Sequence, residues 1–389
     1  MPIKNRFAEL LPEITAWRHD FHQHPEILYE VHRTAGIVAD KLREFGCDEV
    51  VEGIGRTGVV AVIRGQTDQS GRAIGLRADM DALPMSEQTG LPHASRTPGA
   101  MHACGHDGHT SILLGTAKYL AETRRFDGTV VLIFQPAEEG GAGGKAMIDN
   151  GLMERWKIDE VYGLHNMPGL PVGEFAIRPG ALLASADEFS ITIVGKGGHA
   201  AQPHTTVDPV VAAAQVIVAL QSVASRNADP TKSVVVSVCT VKSDTESHNI
   251  IPGAVALRGT VRTLDPAIRD LAEDRIRAIV SGTAQAFGAT AEIDYTRGYP
   301  VTMNTPEQTA FAAEIAAKVA GAVTTDAPPI MAAEDFAYML EERPGAYILV
   351  GNGDSASVHH PEYNFNDEAI PAGCSWWAEV VEQRMPAAN

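Results

Sequence analysis

Thr129-Val130-Val131-Leu132-Ile133-Phe134-Gln135-Pro136-Ala137-Glu138-Glu139-Gly140 begins as an apolar run and ends in two adjacent acids. A strand wet on one side alternates apolar with polar residues. A run that is apolar throughout fits a strand covered on both faces, as in a sheet with helices on either side. Working outward, similar runs read as strands at Val59–Ile63, Ala73–Arg77, Glu160–Leu164 and Ala346–Val350. Helical periodicity falls between or beside them at Gly108–Glu122, Gly143–Asn150, Pro306–Gly321 and Asp367–Arg384. This alternation predicts an α/β domain.

Residues 187–297 follow a different order: strand Phe189–Val194, helix Pro209–Ser225, strands Ser233–Val241 and Val255–Arg262, helix Pro266–Phe287, strand Thr290–Tyr295. That is a split βαβ, or ferredoxin-like, arrangement. Asp208-Pro209 and Asp265-Pro266 each offer an N-cap followed by proline at the first helical position, and Gly288 is placed to end the second helix. The α/β pattern resumes afterwards, so the module reads as an insertion, with 1–186 and 298–389 forming the other domain. A chain of 389 residues is long for one core, and 44% hydrophobic content can fill two.

A formal charge of −18 argues against binding nucleic acid or anionic lipid, which want a basic face, and makes a small molecule the expected partner. Lys4, Arg6, Glu9 and Glu13 interrupt the N-terminal stretch, which is expected to be neither signal peptide nor anchor. The most apolar long segment, Val210–Leu220, is expected to be too short to span a membrane. A cytoplasmic location follows, with the cysteines as thiols. Cys47, Cys239 and Cys374 read as structural, and only Cys104 has polar company.

That company is His102-Ala103-Cys104-Gly105-His106-Asp107-Gly108-His109, a thiol and three imidazoles within eight residues. Any one of these histidines alone is more often packed or solvated than ligating; the density is what matters. Thiolate with imidazole suits zinc and other borderline divalent metals. A structural zinc site would usually add a second paired set such as C-x-x-C, and the sequence has none. The remaining ligands must then be distant, and the carboxyl ends of the strands are where an open α/β sheet gathers them. There lie Asp79 and Asp81, then Glu138 and Glu139, then His165, then His359 and His360.

Two neighbouring acids in an apolar setting repel unless a cation neutralises one. If Glu139 binds metal, Glu138 is free to take a proton from the attacking water and pass it to a leaving group. The stretch Gly140–Lys145 is no phosphate loop, because Glu139 and Ala146 stand where a glycine and a Ser or Thr are required. Its glycines let the backbone turn tightly. In the insertion, Gly195–Ala200 puts His199 on a flexible turn, Asn249 adds an amide, and Arg262 a guanidinium suited to a carboxylate. Two other readings stay open. Cys104 could be a nucleophile activated by His106 or His109, insensitive to chelators. Or the cluster could serve recognition without catalysis, which leaves Glu138 without a role.

Asp79-Met80-Asp81-Ala82-Leu83-Pro84, Met101 to His109, Phe134 to Gly140, Gly163-Leu164-His165, Gly198-His199-Ala200 and His359-His360-Pro361 with Phe365-Asn366-Asp367 carry a close resemblance over nearly the whole length. The chain resembles the aminoacylases, hippurate hydrolases and plant indole-acetyl-amino-acid hydrolases, within the dinuclear metallo-exopeptidases. The resemblance implies a metallo-exopeptidase-like catalytic domain, a mixed sheet flanked by helices, with an inserted ferredoxin-like α+β dimerisation or lid domain. It implies that Cys104, His106, Glu139, His165 and the histidine of the H-x-P motif, His359, bind two divalent ions: zinc, manganese, nickel or cobalt. Cys104 stands where related branches bridge the ions with aspartate; Glu138 is the general acid/base; Asp81 orients a ligand. His199 would polarise the scissile carbonyl in a partner subunit of a homodimer or larger oligomer, with Asn249 and Arg262 near the substrate's polar groups. The implied substrates are N-acyl amino acids such as N-acetyl or N-benzoyl derivatives, with small dipeptides or N-carbamoyl amino acids as alternatives.

Overall fold

The computed structural model describes residues 4–387. They form two compact units: residues up to Leu182 with Met303–Pro328 and the chain from Asp335 onward, and Leu183–Thr302 with Pro329–Glu334. The second is wider than 187–297 at both ends, because its first strand begins at Ser185 and a short return segment joins it.

The first unit is built on an eight-stranded sheet in the order Glu49–Ile54, Gly58–Arg64, Thr129–Gln135, Ala73–Asp79, Glu160–Pro168, Gly345–Gly353, Phe175–Ala176, Val323–Thr324. The strands Thr129–Gln135, Ala73–Asp79, Glu160–Pro168 and Gly345–Gly353 run parallel to their neighbours among themselves, while Glu49–Ile54 and Gly58–Arg64 are antiparallel. The parallel strands therefore end on one edge, which is where the acids and imidazoles collect. Val130 to Gln135 are all buried, as are Ala73 to Asp79, as the unbroken apolar run required.

The helices Asn5–Gln23 and His32–Glu44 and the strand Glu49–Ile54, none of them expected from the sequence, precede Val59. Helix Asn5–Gln23 buries Phe7, Leu10, Ile14, Trp17 and Phe21, a stripe at helical spacing. Each such side chain contributes roughly 1.5–3 kcal/mol. Its polar face is also held, since buried Arg18 and His22 reach Asp107 Oδ2 at 3.2 and 2.8 Å and tie this helix to the His106–Thr123 helix. Gly108 on that helix is required by close approach: a Cβ there would lie 2.4 Å from the Phe365 ring.

In the second unit a four-stranded antiparallel sheet has the order Val234–Ser243, Ala254–Thr263, Ser185–Val194, Thr290–Arg297, the ferredoxin-like arrangement. Asp208 caps helix Pro209–Leu220 by accepting from Val210 N at 2.9 Å, and Asp265 caps Pro266–Ala286 by accepting from Ala267 N at 2.9 Å. Gly288 takes φ 75° just past the second helix.

Two expectations are corrected here. The helix expected over Pro209–Ser225 runs on through a π-helical turn, Val223–Asn227. Against the expectation that its most apolar stretch, Val210–Leu220, is too short to span a membrane, the 19 residues Pro209–Asn227 are long and apolar enough by length and composition alone. The Ser222 and Ser225 hydroxyls bond back to the Ala219 and Gln221 carbonyls at 2.6 and 2.9 Å, so both serines are carried within it. Ala212, Ala213, Val216 and Leu220 bury its inner face in the unit's core. Cys239, expected to be structural, lies exposed on the edge strand Val234–Ser243.

Candidate metal centre

Strand Ala73–Asp79 delivers Asp79 and then Asp81 to the sheet's carboxyl edge, both buried. The Asp81 carboxylate organises what lies beside it: Oδ1 accepts from Glu138 N at 2.9 Å and Oδ2 from Glu139 N at 3.1 Å. One side chain thus fixes the backbone of both glutamates. The loop that carries them turns through left-handed conformations at Ala137 (φ 54°), Gly140 (φ 93°) and Ala142 (φ 54°). Alanines as well as glycines take the strain, and Gly143 has no room for a Cβ, which would sit 1.7 Å from the Pro136 carbonyl.

The histidines divide by their hydrogen bonds. His109 is spent: Nδ1 donates to Asp79 Oδ1 at 2.7 Å and Nε2 accepts from Asn166 N at 2.9 Å. His106 Nδ1 donates to the Asp81 carbonyl at 2.8 Å, leaving Nε2 buried with no hydrogen-bond partner. His165 Nδ1 donates to the Asn166 carbonyl at 2.7 Å, and its Nε2 lies 3.4 Å from Cys104 Sγ. For His106 and His165 a backbone carbonyl fixes Nδ1 as the donor and leaves Nε2 turned toward the same space. Among the described residues His102 is buried with neither nitrogen bonded and belongs to no ligand group.

His359 and His360 are separated by their backbone. His359 takes φ 65°, its N–H donates to the Ala103 carbonyl at 2.7 Å, and its Nε2 lies 3.3 Å from Glu139 Oε1. His360 turns away, its Nδ1 accepting from Glu362 N at 3.2 Å. Glu139 Oε1 is itself buried, with the His359 imidazole as its ion-pair neighbour and no well-aligned hydrogen bond among the described residues.

Cys104, His106 and His165 thus form one group whose donor atoms lie within 4.8 Å of one another, and Cys104, Glu139 and His359 form a second. The thiol is common to both. Buried donor atoms without a well-aligned hydrogen bond at His106 Nε2 and Glu139 Oε1, facing a thiol, fit two cations far better than they fit an apolar cavity or a hydrogen-bonded core. The electrostatics are mixed: burial opposes charging of His106, but Asp79 and Cys104 outweigh it and raise its pKa well above the ordinary value, so a cation bound there would displace a proton. Burial, with His109 nearby, pushes His165 down to about 3, so the imidazole is neutral and able to ligate. Burial opposes ionisation of Glu139, but His359 and His106 outweigh it and lower its pKa. Burial and the Glu139 charge drive the Cys104 thiol well above its ordinary range, the reverse of what an unaided thiolate nucleophile needs. Burial also raises Asp81.

Several residues here escaped the sequence reading. Fully buried Arg77 donates from Nη1 to Asp79 and from Nη2 to Asp335, both at 2.8 Å, and from Nε to Gln135 at 2.8 Å. Asp335 N lies 3.4 Å from Glu138 Oε1 as donor. Asn166 and Tyr363 are buried beside Cys104. The available signal was a lone arginine or asparagine inside an otherwise apolar strand.

Three expected residues lie in the second unit instead. His199 is exposed and does not sit on a free turn: Gly198–His199 pairs with Ile250–Ile251 as a short two-stranded sheet, because Ala200 N and the Asn249 carbonyl close the ladder at 3.1 Å. This sets His199 beside Asn249. Arg262 is half-buried on Ala254–Thr263, opposite Ala186 and Val235.

An α/β unit whose parallel strands converge on two thiol-sharing ligand groups, with the buried Glu138 carboxylate beside them, defines a metal-dependent hydrolase of the dinuclear type. Residues 75–383 match the Peptidase family M20/M25/M40, and the chain belongs to that family. It is 44% identical to a hippurate hydrolase of Campylobacter jejuni, over 96% of this chain and 97% of that protein. It is 39% identical to an N-acetylcysteine deacetylase of Bacillus subtilis, over 94% of each. A solved Bacillus subtilis structure, described as a dinuclear metal-binding peptidase of the M20 family, superposes with a TM-score of 0.86 at 35% identity, covering 97% of this chain and 99% of that one.

Proposed function

We propose that this chain hydrolyses the amide bond of N-acyl amino acids, N-acetyl and N-benzoyl derivatives foremost, releasing a carboxylic acid and the free amino acid. The observation that carries the reading is the pair of ligand groups sharing Cys104 with Glu138 left beside them. The names of the relatives, a hippurate hydrolase and an N-acetyl amino acid deacetylase, support the substrate class. Cys104, His106, Glu139, His165 and His359 would hold two divalent ions, drawn from zinc, manganese, nickel and cobalt, which such mixed ligands accept. Bound there, the ions supply Lewis-acid polarisation and lower the pKa of water.

The chain's own groups do the rest. Glu138 takes the proton of the attacking water and passes it to the amine nitrogen as the C–N bond breaks. Asp81 keeps Glu138 and Glu139 in register through their backbone amides. His199 of one subunit would polarise the scissile carbonyl bound in its partner, with Asn249 and Arg262 near the substrate's polar groups. The test is an assay of metal-loaded protein on N-acetyl, N-benzoyl, N-carbamoyl amino acids and small dipeptides, with and without chelator. Turnover confined to dipeptides would overturn the substrate class.

The enzyme also works as a homodimer through the second unit. Val210, Val211 and Val218 are exposed on helix Pro209–Leu220, at 47%, 47% and 66%, and Val235 and Val241 are exposed on the edge strand Val234–Ser243. An apolar helix face beside an open strand edge invites a second copy. Val218→Asp is expected to give monomers in sedimentation; an unchanged dimer would remove this face from the interface. All four cysteines are unpaired, in keeping with a reducing cytoplasm.

A further inference from the structure

Asn166 follows His165 on strand Glu160–Pro168, and each of its polar groups bonds a ligand residue or a residue packed beside one. Its carbonyl accepts from His165 Nδ1 at 2.7 Å, its N–H donates to His109 Nε2 at 2.9 Å, and its side-chain Nδ2 donates to the Cys104 carbonyl at 2.6 Å. A carbonyl can only accept, so the amide orientation is fixed and Oδ1 faces Tyr363, whose hydroxyl donates to it at 2.7 Å. Both side chains are buried. Gly105 between Cys104 and His106 makes room for them: a Cβ there would lie 2.3 Å from Asn166 Nδ2 and 2.5 Å from the Tyr363 hydroxyl, at a φ of 89°.

Tyr363 belongs to the loop that carries His359. Of the ligands, His359 is the one least supported by packing, with 53% of its side chain exposed and a left-handed backbone at φ 65°. Its place depends on tethers: its own N–H on the Ala103 carbonyl, Gln88 N–H on the Pro361 carbonyl at 2.8 Å, and Tyr363, which joins the loop to the Cys104 and His165 segments through a single amide.

We propose that Asn166 and Tyr363 form a positioning latch that sets the spacing between His359, Cys104 and His165 and thereby the affinity for the cation shared by Cys104, Glu139 and His359. This rests on the ligand assignment above. Neither residue touches a cation; each acts through the backbone or tautomer of one that does. Groups that orient ligands in this way are worth about 10–100-fold in metal affinity.

The test uses the full chain, loaded with Mn2+ or Co2+ alone and titrated against a chelator. Tyr363→Phe, which removes one oxygen, and Asn166→Ala are expected to weaken one of the two cations by about 10–100-fold while the other changes little. The cobalt–thiolate absorption of Cys104 should shift or weaken, and excess Mn2+ should recover turnover in Tyr363→Phe. His359→Ala is the reference. Two cations retained there would sink the ligand assignment and the latch with it. Loss of a cation in His359→Ala, with unchanged affinities and cobalt spectrum in Tyr363→Phe and Asn166→Ala, would sink the latch alone. Equal weakening of both cations with a lowered melting temperature of the metal-free variants would mark a general structural role and also overturn it.

Discussion

Glu138→Gln is expected to keep both cations and lose about 10²–10⁴-fold in kcat, the range a positioned general base supplies. The substitution is close to isosteric, and what holds residue 138 in place is its backbone, through Asp81 Oδ1 at 2.9 Å. Asp335 N–H, 3.4 Å from Oε1, can donate equally to a glutamine carbonyl. Binding should therefore be preserved and only the proton carrier removed. The neighbour behaves oppositely: Glu139 presents a buried oxygen without a well-aligned hydrogen bond, 3.3 Å from its ion-pair neighbour His359 Nε2, so Glu139→Gln should lose a cation first and activity as a result. Measuring kcat together with metal per protomer in both variants separates the two glutamates. Near-normal turnover in Glu138→Gln, or metal loss equal to that of Glu139→Gln, would end the assignment of Glu138 as the proton carrier.

The contrast between those neighbours also marks how far sequence could reach. The run Val130 to Gln135 announced a buried strand because burial on both faces leaves no polar periodicity, and the acids after it had to lie at the strand's end. Ligand types were legible because a thiol with imidazoles is chemically selective, whereas the choice of Cys104, His106 and His165 among the candidates came from the resemblance. What composition could not convey was how each imidazole spends its nitrogens. His102, His106 and His109 look alike in the sequence, yet only His106 keeps a nitrogen facing Cys104 and Glu139, because Asp79 and Asn166 occupy both nitrogens of His109. The positioning residues were hidden more deeply. Arg77, Asn166, Asp335 and Tyr363 act through long-range hydrogen bonds, some spanning nearly 200 positions or more, for which no local periodicity exists. The N-terminal helices were missed for a simpler reason: Phe7, Leu10, Ile14, Trp17 and Phe21 form an ordinary core stripe that becomes informative only once the helix His106–Thr123 is known to need a cover.

Cys104 offers the sharpest division between the metal and nucleophile readings. A chelator is expected to abolish turnover, and added Mn2+ or Zn2+ to restore it. Cys104→Ala, which removes the donor common to both ligand groups, should weaken metal binding by more than ~100-fold, since even groups outside the ligand set are worth about 10–100-fold. Cys104→Asp replaces one anionic donor by another and should regain part of both metal and activity, which no thiol nucleophile could survive. Alkylation gives an independent reading. Burial and Glu139 keep the metal-free thiol protonated and Cys104 is only 7% exposed, so iodoacetamide should react slowly without metal and, with the sulfur engaged, more slowly still when metal is present. A thiol nucleophile would be alkylated rapidly whether or not metal is there, and its activity would withstand the chelator. Retention of full activity by Cys104→Ala would exclude both readings together, because each makes that sulfur indispensable, as a cation's ligand in one case and as the attacking atom in the other.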